Sequence, residues 1–238
     1  METAEDLKAS LRAFETGRDD IGWLGAGLFG ERQGSVRFDL GRAAWVVLET
    51  GGEAGSSGAP GEAQRLADGL GTTLADLGLG PLPRGTGEAA WQGAPAELLF
   101  DEASAHLATV ARAVAPVLSR PGHEVTATPL PRAELSRRRA RGAYSLAVDV
   151  VRPLGPGATG ALLALATAED PARARDLARH PPKLVADTSP RTLTRTLRVG
   201  VLGELRVSGA AMGDVVIARA AGGEGWDLGG TYRKPARR

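Results

Sequence analysis

Leu197 to Ile217, LRVGVLGELRVSGAAMGDVVI, is the stretch on which the fold class turns. It reads as a strand, a turn and a second strand closed by Gly213-Asp214-Val215-Val216, with apolar residues recurring at the spacing of extended chain. A β-rich C-terminal element follows, with a further turn after Gly222, a short strand predicted at Trp226 to Tyr232, and a basic end.

Upstream of that stretch the periodicity alternates between helix and strand. Asp170-Pro171 predicts a short helix with Asp170 as N-cap and Pro171 at the first helical position, ending near His180-Pro181-Pro182. SLAVDVV (Ser145 to Val151) and GALLALA (Gly160 to Ala166) read as paired strands, with Pro and Gly in the turn between them. Val125 and Ala127 begin a strand. A long helix is predicted from Pro95 to Leu118, where Leu99, Ala103, Leu107, Val110, Val114 and Val117 step by three or four, with Pro116 bending or ending the last turn. Gln64 to Leu79 predicts a Gly-weakened helix and Gly51 to Gly61, GGEAGSSGAPG, a flexible loop. Val36, Phe38 and Leu40, a turn at Gly41-Arg42 and WVVL at Trp45 to Leu48 predict a hairpin. Leu7, Leu11 and Phe14 predict a short N-terminal helix.

The expectation is an α+β protein in which a central helix packs on antiparallel strands and a small β-rich element ends the chain. The regions are 1–90, an N-terminal α/β region containing the loop at 51–61; 91–190, a helix and antiparallel strands; and 191–238, the β-rich element. With 42% hydrophobic residues in 238, the chain can bury a core of ordinary size.

Composition narrows the chemistry. There are no cysteines, which excludes disulfides, thiolate nucleophiles and cysteine-ligated metals and fits a reducing compartment. The 29 basic and 28 acidic side chains nearly cancel, so any anion binding must be local. The first twenty residues lack the apolar core of a signal peptide, and no run reaches the roughly 20 apolar residues of a membrane span. The expected location is the cytoplasm, at most peripheral to the inner membrane through partners.

Catalytic signatures are missing from the sequence. His106, His123 and His180 do not share a helix face, so no metal pair forms. No G-x-S-x-G occurs, and the Gly-rich pieces at Gly22 to Gly30 and Gly69 to Gly80 contain neither a phosphate loop nor a dinucleotide turn. A non-enzymatic protein without cofactor or metal is expected. Arg132, Arg137, Arg138, Arg139 and Arg141 form the one local charge concentration, able to contact phosphates or an acidic partner.

In its order of elements the chain resembles the cytoplasmic-ring, or sorting-platform, subunits of type III secretion systems, relatives of the flagellar motor switch proteins. Those end in a surface-presentation-of-antigens (SpoA) domain with a Gly-Asp-Val-[VIL] strand. Gly213 to Val216 match that strand, and Leu202-Gly203-Glu204-Leu205 its first strand and turn. The resemblance implies a scaffold subunit acting by protein–protein interaction through Val199, Leu205, Val207, Gly213, Asp214, Val215 and Val216. Its partner would be a second copy or a separate small SpoA-like subunit, within a secretion ATPase complex. Two alternatives stand beside it. One is a nucleic-acid-associated protein using the arginine cluster. The other is a lipid-binding module, since Leu205, Val207 and Gly209 also resemble the last strand of a sterol-carrier-like domain.

Overall fold

A computed structural model of the chain describes residues 12–18, 21–24, 35–52, 59–70, 89–152, 154, 157–169, 171–180, 190–219 and 226–234. In chain order the elements are β1 (Ile21–Leu24), β2 (Ser35–Thr50), α1 (Glu62–Gly69), β3 (Ala96–Asp101), α2 (Ala105–Leu118), β4 (Val125–Leu130) and α3 (Arg132–Ala140). There follow β5 (Leu146–Val151), α4 (Gly157–Glu169), α5 (Pro171–Arg179), α6 (Pro190–Thr194), β6 (Val199–Met212), β7 (Val215–Arg219) and β8 (Trp226–Arg233). The protein is α+β, with strands hydrogen-bonded in the order β1-β6-β2-β5-β3-β4 and a separate antiparallel pair β7-β8. Two compact units result, one of Met1–Ala43 with Leu205–Arg238, the other of Ala44–Glu204.

In the Ala44–Glu204 unit β2 and β5 are antiparallel, from Trp45 opposite Val151 to Thr50 opposite Leu146. β3 runs parallel to both β4 and β5. Side chains alternate across a strand, and residues directly opposite each other share a face. Trp45, Val47 and Glu49 of β2 therefore lie on one face with Ala147, Asp149 and Val151 of β5. Two sets of helices cover that face. Leu135 of α3 packs with Leu99 and Ala147, while Leu162 and Leu165 of α4 and Leu193 of α6 pack with Trp45, Val47 and Val151. Each such leucine taken from water contributes about 1.5–3 kcal/mol before chain entropy is counted.

Several sequence expectations give way to packing. The predicted helix from Pro95 is a strand, β3, followed by a helix that starts only at Ala105, where Ser104 accepts a hydrogen bond from Leu107 N at 3.2 Å. Leu98, Leu99 and Phe100 are all buried, as a parallel strand covered on both faces requires, and three consecutive apolar residues fit a helical stripe equally well. GALLALA is helical, within α4. Ala158, Ala161, Leu162, Ala164, Leu165 and Ala166 are buried around much of its circumference, so it carries little amphipathic signal. The hairpin expected at Gly41-Arg42 is absent, because β2 is one strand of 16 residues beside the 14-residue β6. α2 passes through Pro116 to Leu118.

Other expectations are met. α5 begins at Pro171, and a strand occupies Trp226–Arg233. α1 forms at Glu62–Gly69, and residues 12–15 are helical. Asp170, Leu7, Leu11, residues 71–79 and most of the loop expected at 51–61 lie outside the described residues.

Glycine permits the closest backbone approach around α1. A Cβ on Gly200 would lie 2.3 Å from the Ala63 carbonyl oxygen, so only glycine lets β6 touch α1. Beside that contact Gln64, buried on α1, accepts from Thr194 Oγ1 at 2.6 Å and Val201 N at 3.0 Å.

Candidate functional site

The alternation that buries Trp45 and Val47 also carries Glu49 inward, and that which buries Ala147 and Val151 carries Asp149 inward. Both carboxylates are buried. They meet α3, on which Arg132, Leu135 and Arg139 occupy one face at i, i+3 and i+7. Leu135 anchors the helix to the sheet, and the arginines flank it. Arg139 Nη2 donates to Glu49 Oε1 at 2.6 Å and to the Ala168 carbonyl oxygen at 3.1 Å, and its Nη1 donates to Asp149 Oδ2 at 2.6 Å. Arg132 Nη1 donates to Asp149 Oδ1 at 2.9 Å, and Val150 N donates to the same oxygen at 2.8 Å. Two cations thus balance two buried anions at the seam between α3 and α4.

Balance of charge is not full satisfaction. Glu49 Oε2 and Arg139 Nε are buried without a hydrogen-bond partner among the described residues. Burial pushes the Glu49 carboxyl up to about 7, with the Asp149 charge acting in the same direction and Arg139 opposing. Burial works against the charge on Arg139 too, but Glu49 and Asp149 outweigh it and hold the guanidinium above its ordinary value.

Next to this network lies a cleft of about 310 Å3, lined by Thr50, Gly51, Gly52, Pro60, Arg139, Gly142, Tyr144, Arg173 and Arg198. Its walls come from the end of β2, the approach to α1, the turn after α3, α5 and the residue before β6. The wall is held by backbone contacts. Thr50 N donates to Arg198 O at 2.9 Å and Gly51 N to Ser145 O at 2.8 Å, so Gly51 sits tightly on Tyr144. A Cβ at Gly51 would fall 1.9 Å from Tyr144 O. Gly142, at φ +65°, turns the chain from α3 back to Tyr144 in a conformation that favours glycine. Arg173 Nη2 donates to Thr196 O at 2.9 Å across the rim. Among the described residues neither a histidine nor a carboxylate lines the cleft, and no three His, Asp or Glu side chains converge as a metal ion would need.

The arginines singled out in the sequence have separate fates. Arg132 and Arg139 are bound to the buried carboxylates. Arg137 pairs with Glu134 at 2.6 Å, and Arg138 reaches Glu134 and Glu97 at 3.3 and 3.2 Å. Arg141 is exposed and makes no ion pair with a described residue. The cluster is a helix face largely neutralised by its own chain.

The residues of the Gly-Asp-Val stretch are likewise dispersed. Val199 is fully buried among α4, α5 and α6. Leu205 is half-buried on β6, and the Val207 side chain lies outside the described residues. Gly213 and Asp214 form the turn into β7, where half-buried Val215 and Val216 pair with Arg233 and Tyr232 of β8. Lys234 N closes that ladder by donating to Asp214 O at 2.8 Å.

The sequence reading passed over Glu49, Asp149, Tyr144, Arg173 and Arg198. For the two acids a signal exists, since within the runs Trp45–Thr50 and Leu146–Val151 each is the one charged residue on the inward period. For the other three there is none, because the cleft joins segments far apart in the chain.

No protein-family model and no curated protein matches the chain. Solved structures do. NikA from Brucella suis in complex with Fe(III)-EDTA is similar at TM-score 0.61 and 14% identity, over 96% of this chain and 60% of NikA. Oligopeptide binding protein 2 of clavulanic acid biosynthesis is similar at TM-score 0.58 and 14% identity, over 96% of this chain and 55% of its own. The periplasmic murein tripeptide binding protein MppA, in an unliganded open form, is similar at TM-score 0.55 and 11% identity, over 88% and 52%. At these identities the likeness is one of fold, and the chain spans 52–60% of the length of these structures.

That likeness overturns the secretion-scaffold reading. The resemblance to sorting-platform and flagellar switch subunits drew on the order of elements, on Gly213 to Val216 and on a first strand and turn at Leu202-Gly203-Glu204-Leu205, and β6 runs straight through that turn. Its SpoA-like strand is already paired with β8 of the same chain. The expected partners, a small SpoA-like subunit and a secretion ATPase complex, fall with it. So do the two alternatives, the nucleic-acid surface, whose arginines are mostly ion-paired within the chain, and the sterol-carrier-like module.

Proposed function

We propose that this chain binds a small solute and does no chemistry on it. One observation carries the reading, namely the fold likeness over 96% of the chain to structures that include an oligopeptide-binding protein and a protein holding a metal chelate. A cleft of about 310 Å3 supports it, at the small end of the range for sites that enclose a small molecule.

The test is a thermal-shift panel on the purified protein with di- and tripeptides, EDTA chelates of iron and nickel, and neutral oligosaccharides, followed by calorimetry on any hit. A ligand that binds the folded state raises Tm in proportion to the logarithm of its concentration above Kd. The expected result is a saturable shift with one class, and recovery of that ligand unchanged by mass spectrometry. No shift with any class, or conversion of the ligand, would overturn the reading.

A further inference from the structure

The cleft beside Tyr144 has a charge character that solute binding alone does not require. Its described lining holds three arginines, Arg139, Arg173 and Arg198, and no acidic side chain. Arg139 is balanced through its Nη atoms by Glu49 and Asp149, yet its Nε is buried without an acceptor among the described residues. Arg198 is different. Its backbone carbonyl is fixed by Thr50 N, while its exposed guanidinium makes no ion pair with any described residue. Arg173 stands on the same wall, with one Nη turned to Thr196 O.

A guanidinium presents paired N–H donors at the spacing of a carboxylate or phosphate edge, and such charge-assisted bonds are roughly twice as strong as neutral ones. With no carboxylate in the described lining and no ion pair from Arg198 to a described residue, an anionic group is the ligand chemistry that fits. We infer that the cleft between Gly51, Tyr144 and Arg198 is an oxyanion subsite, taking the carboxylate or phosphate group of a small solute with Arg198 as its anchor. This rests on the solute-binding reading and adds the charge class of the ligand.

The experiment is isothermal titration of the full chain with inorganic phosphate, with succinate and with a neutral trisaccharide, repeated on Arg198→Gln and, as a surface control, Arg137→Gln. Arg198 is exposed, so its variant should fold, which circular dichroism and Tm verify. Phosphate or succinate should bind the wild type, and Arg198→Gln should weaken that ligand at least about tenfold while Arg137→Gln leaves it unchanged. Preference for phosphate or for succinate assigns the oxyanion. Equal anion affinity in Arg198→Gln and wild type overturns the subsite. Binding of the trisaccharide with no response to anions also overturns it, while leaving solute binding intact. Silence toward every ligand class removes both.

Discussion

Arg139 Nη2 and Glu49 Oε1 meet at 2.6 Å across 90 residues of sequence, and the same guanidinium holds Asp149 on the neighbouring strand. One cation thereby ties α3 to β2 and β5. Removing it leaves Glu49 without its cation and Asp149 with Arg132 alone, and breaking a buried pair from one side costs about 3–5 kcal/mol. Arg139→Ala should lose that much in urea unfolding, whereas Arg137→Ala, two residues away and exposed, should change stability by less than about 0.5 kcal/mol. Similar losses at both positions would show that the helix, and not the buried network, sets the cost.

The Glu49 carboxyl gives the protein a definite pH response. Its folded value of about 7 exceeds the ordinary 4.5, so between those limits the native state binds more protons than the unfolded chain. Stability from this group is therefore greatest below pH 4.5, declines as pH rises by at most about 1.4 kcal/mol per unit, and levels off above 7. His106, half-buried on α2 and pushed below its usual range by burial, acts in the opposite sense, costing stability as pH falls through 6.5. Comparing wild type with Glu49→Gln isolates the carboxylate, since glutamine keeps an acceptor for Arg139. From pH 5 to pH 8 the unfolding free energy of wild type should fall relative to that of Glu49→Gln, and parallel profiles would mean that Glu49 does not titrate in this window.

How far the sequence carried is visible in individual residues. The apolar runs WVVL at Trp45 to Leu48 and SLAVDVV at Ser145 to Val151 identified β2 and β5, although both strands are buried on both faces, because their β-branched residues and flanking turn residues mark extended chain. Leu98-Leu99-Phe100 and GALLALA did not, because an element buried on most sides has no alternation to write, and only length and packing separate strand from helix there. Arg139 was noticed for its charge, but its partners Glu49 and Asp149 arrive through sheet register and helix docking. The cleft was still less legible. Gly51, Tyr144, Arg173 and Arg198 belong to four segments brought together by backbone hydrogen bonds that no side-chain pattern announces.

Two adjacent glycines should respond in opposite ways. A Cβ at Gly51 would lie 1.9 Å from Tyr144 O, a backbone atom that cannot rotate aside, while at Gly52 the nearest atom is Gly142 O at 3.8 Å. Gly51→Ala must push β2 away from the Tyr144 turn, at the about 1–3 kcal/mol typical of overpacking, and should widen the cleft. Gly52→Ala should be within about 0.5 kcal/mol of wild type. Thermal unfolding of the two variants checks this, and equal Tm values would show that the Gly51–Tyr144 approach is looser in solution.

Gln64 is the polar pin between α1, α6 and β6. Its Oε1 accepts from Thr194 Oγ1 and from Val201 N, and its Nε2 donates to Asp68 Oδ1 at 2.7 Å, so one amide serves three segments in a buried site. Gln64→Leu keeps the volume and removes the acceptor, leaving the buried Val201 N–H to bear its desolvation, about 1–3 kcal/mol. Gln64→Glu keeps an acceptor but buries a charge there, so it should be the more harmful at pH 8 and recover as pH falls. Thr194→Val removes one donor to the same oxygen. The double variant Gln64→Leu with Thr194→Val should therefore lose less than the sum of the single losses, by about 0.5 kcal/mol or more. Strict additivity in that cycle would show that Thr194 and Gln64 stabilise the unit independently, and that the 2.6 Å contact is incidental to it.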